Sequence, residues 1–406
     1  MATITTAEGR TEGKVGLALA GGGPQGALYE IGAIRALEEA LEGIDFCDLD
    51  VYVGVSAGAV IGSILANGVG TARLCRAAID PGPANPFHFR TFYSPAFEEF
   101  GRRSLGIPRL LLQSLLTFIS NPRDLNLVDS LLPLSRALPI GVFSNEPLRE
   151  FLEDAFNRSG RTDDFRRLDK HLIVVAADLD SGEPVRFGEP GFDHIPISKA
   201  VQASTALPGL YAPVKIEGRH YVDGVLLKTM HGSVALDAGA ELLLCFNPLV
   251  PVDTSSAVDE GFMRRGKLID RGLPTVLSQS LRTMIRSRLE AGLSSYENVF
   301  PEADVILLEP PRDDYKMFFT NVFSLSTRRA ACEHAYNVTR RQLFNRREEL
   351  APVLAQHGIR LRTEFLEQEN VDLWCQVGAR MTEGDSVLDD LDCTLSRLEA
   401  LLNEST

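Results

Sequence analysis

Ser56 lies in the pentapeptide GVSAG, residues 54–58, a G-x-S-x-G pattern in which a serine can act as a nucleophile. The apolar run DLDVYVGV (48–55) precedes it and reads as a strand. AGAVIGSILANG (57–68) follows and reads as a small-residue helix stopped at Asn67-Gly68. In that setting Gly54 and Gly58 leave room for a strained strand-to-helix turn, and the helix N-terminus favours developing negative charge. A helix-capping serine would fit the same place without any chemistry. The nucleophilic reading requires a base to take the hydroxyl proton.

The histidines offer no obvious base: His171 heads a strand, His334 falls on a helix, and His88 and His194 sit in irregular stretches. His220 and His231 flank Asp223-Gly224, a pair that local sequence alone reads as a turn. A second candidate loop is GGGPQG, in which Gly21, Gly23 and Gly26 fit G-x-G-x-x-G. Glu42, Asp45 and Asp48 follow downstream, as in a dinucleotide-binding fingerprint. Asp178 and Asp180 in AADLDSG are turn formers rather than metal ligands. The six cysteines show no C-x-x-C or zinc-like spacing and read as free, mostly buried thiols. Neither a cofactor nor a metal is expected.

These residues need a scaffold, and the sequence alternates short apolar runs with helical patterns. KVGLALA (14–20), HLIVVAADL (171–179) and ELLLCFNP (241–248) are continuous apolar runs of the kind a sheet covered on both faces requires. Leu28, Ile31, Ile34, Leu37 and Leu41 recur at helical spacing after the glycine loop. An α/β layered domain follows from this alternation. Residues 81–145 break the pattern and read as an insertion. Its apolar segment from Leu105 to Ile119, with Arg102, Arg103 and Arg109 nearby, reads either as a buried helix or as an interfacial helix or lid. Beyond about residue 322 the chain reads as helices and then an acidic tail.

Composition bounds the rest. A 406-residue chain with 44% hydrophobic and 24% charged residues is that of an ordinary globular protein, and its net charge of -14 argues against general nucleic-acid binding. Residues 262–289 hold seven Lys/Arg against the single acid Asp270, whereas residues 364–404 hold eleven acids against two arginines. The basic stretch reads as suited either to anionic lipid headgroups or to pairing with the tail. The N-terminus lacks an apolar signal core, and the expected location is the cytosol, with peripheral contact to a membrane or lipid-droplet surface.

Four motifs in order, LALAGGGPQGALYEIGAIRALEE, GVSAG, AVQASTALPGLYAPV (200–214) and YVDGV (221–225), make the chain resemble the patatin-like phospholipase family. The resemblance implies a three-layer α/β/α fold with a mainly parallel central sheet and inserted and C-terminal helices. The catalytic domain would span 14–250, with a mainly helical region at 251–406 packed on it. It further implies a Ser-Asp dyad with Ser56 as nucleophile and Asp223 as base, needing no histidine, and Gly21, Gly22 and Gly23 as the oxyanion hole, with Gly26, Gly54, Gly58 and Gly224 completing the motifs. Pro24 has no N–H to give. The implied activity is hydrolysis of a fatty acyl ester, with a lipid ester as substrate. The family commonly has Arg where this chain has Gln25, and Gly or Ala where it has Val225. These departures leave room for a weakened, lipid-binding or scaffolding protein, and the glycine loop alone for a nucleotide-binding oxidoreductase. Oligomeric state is not legible.

Overall fold

A strand without a polar face persists only where both of its faces are covered. The computed structural model, which describes residues 13–79, 94–95, 140–255, 258, 267–314, 317, 325–368 and 371–378, places the apolar runs accordingly. In chain order the main strands are β1 (Val15–Leu19), β2 (Val51–Val55), β3 (His171–Asp178), β4 (Pro184–Phe187), β5 (Val214–Ile216), β6 (Arg219–Asp223), β7 (Leu242–Phe246) and β8 (Asp304–Leu308). They form one sheet ordered β8-β7-β1-β2-β3-β6-β5, with β4 also paired to β3. The pairs among β8, β7, β1, β2 and β3 are parallel. Those joining β4, β5 and β6 are antiparallel. This is the mainly parallel mixed α/β sheet that the motifs imply.

Alternate residues along each strand divide between two cores. Leu17, Leu19, Tyr52, Val174 and Leu244 face one side, where helices α1 (Gly23–Ala40) and α2 (Ala57–Ala66) pack. Ala18, Ala20, Val53, Val175 and Leu243 face the other. There α6 (Gly232–Asp237) and α7 (Leu273–Val299) cover them. The remaining helices used below are α3 (Thr71–Ile79), α4 (Glu146–Phe156), α5 (Ile197–Ser204) and α8 (Leu325–Asn345). On α1, Leu28, Ile31, Ile34 and Leu37 are almost wholly buried, each worth about 1.5–3 kcal/mol of apolar transfer. α8 lies against α1 so closely that a Cβ at Gly32 would stand 2.3 Å from the Cys332 carbonyl oxygen.

β8 lies past residue 250, so the sheet takes its edge strand from the region that reads as mainly helical. Arg360–Leu361 also pairs with Leu41–Glu42 at the end of α1. Cys47, Cys75, Cys245 and Cys332 are free thiols, whereas Cys375 is disulfide-bonded, an exception to the reading of free cysteines. Nearly all of the 81–145 insertion, its Leu105–Ile119 segment included, lies outside the described residues, as does His88. So does the acidic tail beyond residue 378. No described helix is long and apolar enough to cross a membrane.

Candidate active site

The two glycine motifs meet because β1 and β2 are parallel neighbours, so the turns that follow them emerge at the same end of the sheet. Ser56 takes φ 53° and ψ -119°, a left-handed turn conformation costly for any side chain. Its surroundings enforce the turn. A Cβ at Gly54 would lie 2.5 Å from the Ala59 Cα, and one at Gly58 would lie 2.3 Å from the Leu19 carbonyl oxygen. The helix start therefore sits directly on the end of β1, with the Gly58 N–H donating to the Ala20 carbonyl at 3.1 Å. The Ser56 side chain makes no capping bond to α2. That removes the helix-cap reading.

The candidate base comes from the antiparallel side. β3 pairs with β2 through Val55 opposite Val175, and with β6 through Ala176 opposite Asp223. Ser56 and Asp223 thus stand on either side of one β3 end, both lining one cavity, and the nearby Ser56 hydroxyl favours the ionised form of the Asp223 carboxyl. Gly224 is required here, since a Cβ would lie 2.5 Å from the Val175 carbonyl oxygen. Asp223 is 2% exposed. Burial pushes its carboxyl up to about 7, opposed by the Ser56 hydroxyl and by the bond from the Val225 N–H, 2.9 Å from Oδ1. A carboxylate at that value can accept a proton near neutral pH.

Ser204, which the sequence pattern does not single out, holds the turn in place. Its hydroxyl accepts from the Ser56 N–H at 2.8 Å and donates to the Val175 carbonyl at 2.6 Å. Ser204→Ala is expected to leave the buried Ser56 N–H unpaired and cost about 1–3 kcal/mol. Thermal unfolding checks this, and an unchanged Tm contradicts it.

In the glycine loop, Gly21 packs against both partners, a Cβ there meeting Val225 at 3.1 Å and Ser56 at 3.2 Å. Its N–H is already committed to the Thr229 carbonyl at 3.2 Å. Gly22 and Gly26 face Pro248, and Gly23 takes φ 58° at the start of α1. Among the described residues no partner takes the N–H of Gly22 or Gly23. The loop can therefore present two donors at a helix N-terminus, with Pro24 next in line.

A cavity of about 350 Å³ opens over these groups. Val60, Ile61, Ile64, Leu74, Leu148 and Leu210 give it an apolar wall, while Gly22, Gly23, Gln25, Ser56, Asp223 and Arg282 supply its polar side. No described histidine lines the cavity with Ser56 and Asp223. His231 is buried and turned to the Gly224 carbonyl at 3.4 Å, and desolvation lowers its pKa to about 4. His194 faces Glu217, His334 faces Asp314, and His171 stands at the opposite end of β3.

The dinucleotide reading fails on position. Asp45 and Asp48 precede β2, and Asp50 accepts from the Val15 N–H at 2.8 Å, at the end of β1 away from the glycines. Asp48 pairs with Lys170, and Glu42 with Arg360. No acid on that edge can reach a ribose placed on the glycine loop. Asp178 is a turn former, its Oδ1 accepting from the Asp180 N–H at 2.9 Å and from the Ser181 N–H at 3.2 Å. Part of the basic stretch is also used internally: Arg282 and Arg288 bond to backbone carbonyls and Arg286 to Glu290 and Glu309.

The patatin-like phospholipase family model matches residues 17–230, more than half of the chain. Similar solved structures include VipD from Legionella pneumophila, with 17% identity, a TM-score of 0.38, and 85% of this chain and 70% of VipD covered. The type III effector protein ExoU of Pseudomonas aeruginosa matches at 15% identity with a TM-score of 0.33, covering 83% of this chain and 54% of ExoU. The chain belongs to the patatin-like phospholipase family.

Proposed function

We propose that the protein is a lipid acyl hydrolase of the phospholipase A or lysophospholipase kind, working through an acyl-Ser56 intermediate. Family membership supports lipid hydrolysis, and the observation that carries the finer reading is the juxtaposition of Ser56 and the buried Asp223 beneath an apolar cavity. Asp223 takes the hydroxyl proton as Ser56 Oγ attacks the ester carbonyl. The N–H groups of Gly22 and Gly23 receive the oxyanion, with Gly21 holding the loop against Ser56. Collapse expels the alcohol, which leaves with the proton held by Asp223. Water then attacks the acyl-serine, losing its proton to Asp223, which returns it to Ser56 Oγ as the acyl–oxygen bond breaks and the fatty acid departs. No metal or cofactor enters these steps.

The substrate would arrive from a lipid surface along α7. Leu273, Leu277, Leu281 and Met284 form one helical stripe: Leu281 lines the cavity, while Leu273, Leu277 and Met284 are 68%, 58% and 55% exposed. This apolar edge, rather than the engaged arginines, would make the peripheral contact.

Fatty-acid release from mixed-lipid vesicles and from a dispersed short-chain ester tests both parts. Wild type should release fatty acid from both and Ser56→Ala from neither. Leu277→Glu should lose several-fold on vesicles relative to the dispersed ester. Equal release by wild type and Ser56→Ala would overturn Ser56 as the nucleophile, and no release by wild type would leave a lipid-binding protein without this chemistry.

A further inference from the structure

Among the described residues that line the cavity, one carries a carboxyl group, Asp223, and one a guanidinium, Arg282. Asp223 belongs to the dyad. Arg282, on α7, lines this cavity together with the apolar residues of α2, α3 and α4, and it also lines the small adjoining pocket with Gly22, Gln25, Gly26 and Pro248. Its Nη1 donates to the Val250 carbonyl at 3.2 Å and to the Pro248 carbonyl at 3.4 Å. Gln279, one turn earlier on α7, clamps the same loop by donating to the Val252 carbonyl at 2.8 Å and accepting its N–H at 3.2 Å. The guanidinium is therefore fixed beside the glycine loop, where the polar end of an ester lies when its chain occupies the apolar wall. A planar guanidinium matches phosphate oxygens two at a time, a geometry that a neutral glycerol hydroxyl cannot use.

We propose that Arg282 receives the anionic phosphate of the substrate's head, so that the site selects phosphate-bearing lipid esters over neutral glycerides with the same chain. This rests on the lipid-ester reading above. It makes Arg282 a specificity residue placed by the C-terminal half of the chain, with Gln25 as its uncharged neighbour on the cavity wall.

The test uses ethers that cannot be cleaved, titrated by calorimetry into Ser56→Ala protein, so that binding is read independently of hydrolysis. The probes are 1-O-octylglycerol 3-phosphate, 1-O-octylglycerol and inorganic phosphate. The phosphate ether should bind about tenfold more tightly than the neutral ether, as one charge-assisted contact implies. Arg282→Gln should bring the two within about twofold, and adding Gln25→Arg to that variant should restore much of the preference by returning a cation to the same cavity. Inorganic phosphate alone should bind far more weakly than the phosphate ether.

A preference that survives Arg282→Gln overturns the proposal. So does an equal loss for both ethers that Gln25→Arg does not repair, which would confine Arg282 to holding the Pro248 and Val250 carbonyls. Inorganic phosphate binding as tightly as the ether would also overturn it, making this a site for free phosphate. If ester turnover is later found not to need Ser56, the hydrolase reading falls while the binding result stands.

Discussion

Asp223→Asn is expected to lower kcat/KM on the order of 10³-fold while the protein stays folded, because asparagine can still accept from the Val225 N–H but cannot take the Ser56 proton. The wild-type pH profile should carry the same signature. Asp223 must be ionised to act as a base, and burial places its pKa at about 7. Activity should therefore rise about tenfold per pH unit below 7 and level off above it.

Stability should move in the opposite direction. The folded protein keeps a proton on Asp223 between the ordinary carboxylate range and about pH 7, whereas the unfolded chain has lost it. This group thus erodes stability as pH rises through that window, by about 1.4 kcal/mol per unit, with no further change above it. Asp223→Asn removes that slope, so the variant should be more stable than wild type at pH 8. Denaturant titrations at pH 5 and pH 8 check it. Equal stability differences at the two values would contradict a buried Asp223 of raised pKa.

Ser56→Ala should remove turnover almost completely, a loss on the order of 10⁴-fold or more, since nothing else described in the cavity offers a nucleophile next to a base. The companion variant Ser56→Gly separates chemistry from strain. Glycine reaches φ 53° without the penalty a side chain meets, so Ser56→Gly should be as inactive as Ser56→Ala yet about 1 kcal/mol more stable. Tm and kcat measured on both variants decide this. A Ser56→Gly protein less stable than wild type would show that the turn is not strained.

Much of the scaffold was legible because its signals are local. VGLAL and VYVGV are apolar on both faces, which only a covered sheet satisfies, and the glycines after each run mark where the backbone must turn or come close. β8 was legible by the same rule, since DVILL is one such run, but it lies among helical patterns and reads as part of them. The pairing of Ser56 with Asp223 was not legible from the residues themselves. It depends on β6 folding back antiparallel to β3, and Asp223-Gly224 looks locally like any turn; only the order of the four motifs pointed to it.

Other parts of the site were hidden for similar reasons. Ser204 ends a short helix and carries no mark of its role beneath Ser56. The Gly21 N–H is taken by Thr229, a contact no glycine pattern encodes. Arg282 sits in a basic stretch that reads as surface, and only the packing of α7 over the cavity turns it inward.

The central claim is that Ser56 is a nucleophile activated by Asp223. The most direct measurement is to treat the protein with a fluorophosphonate and locate the adduct by peptide mass spectrometry. The account predicts one phosphonylated peptide containing Ser56, absent in Ser56→Ala and formed much more slowly in Asp223→Asn. An adduct on a different serine, or equal labelling of wild type and Ser56→Ala, would contradict it.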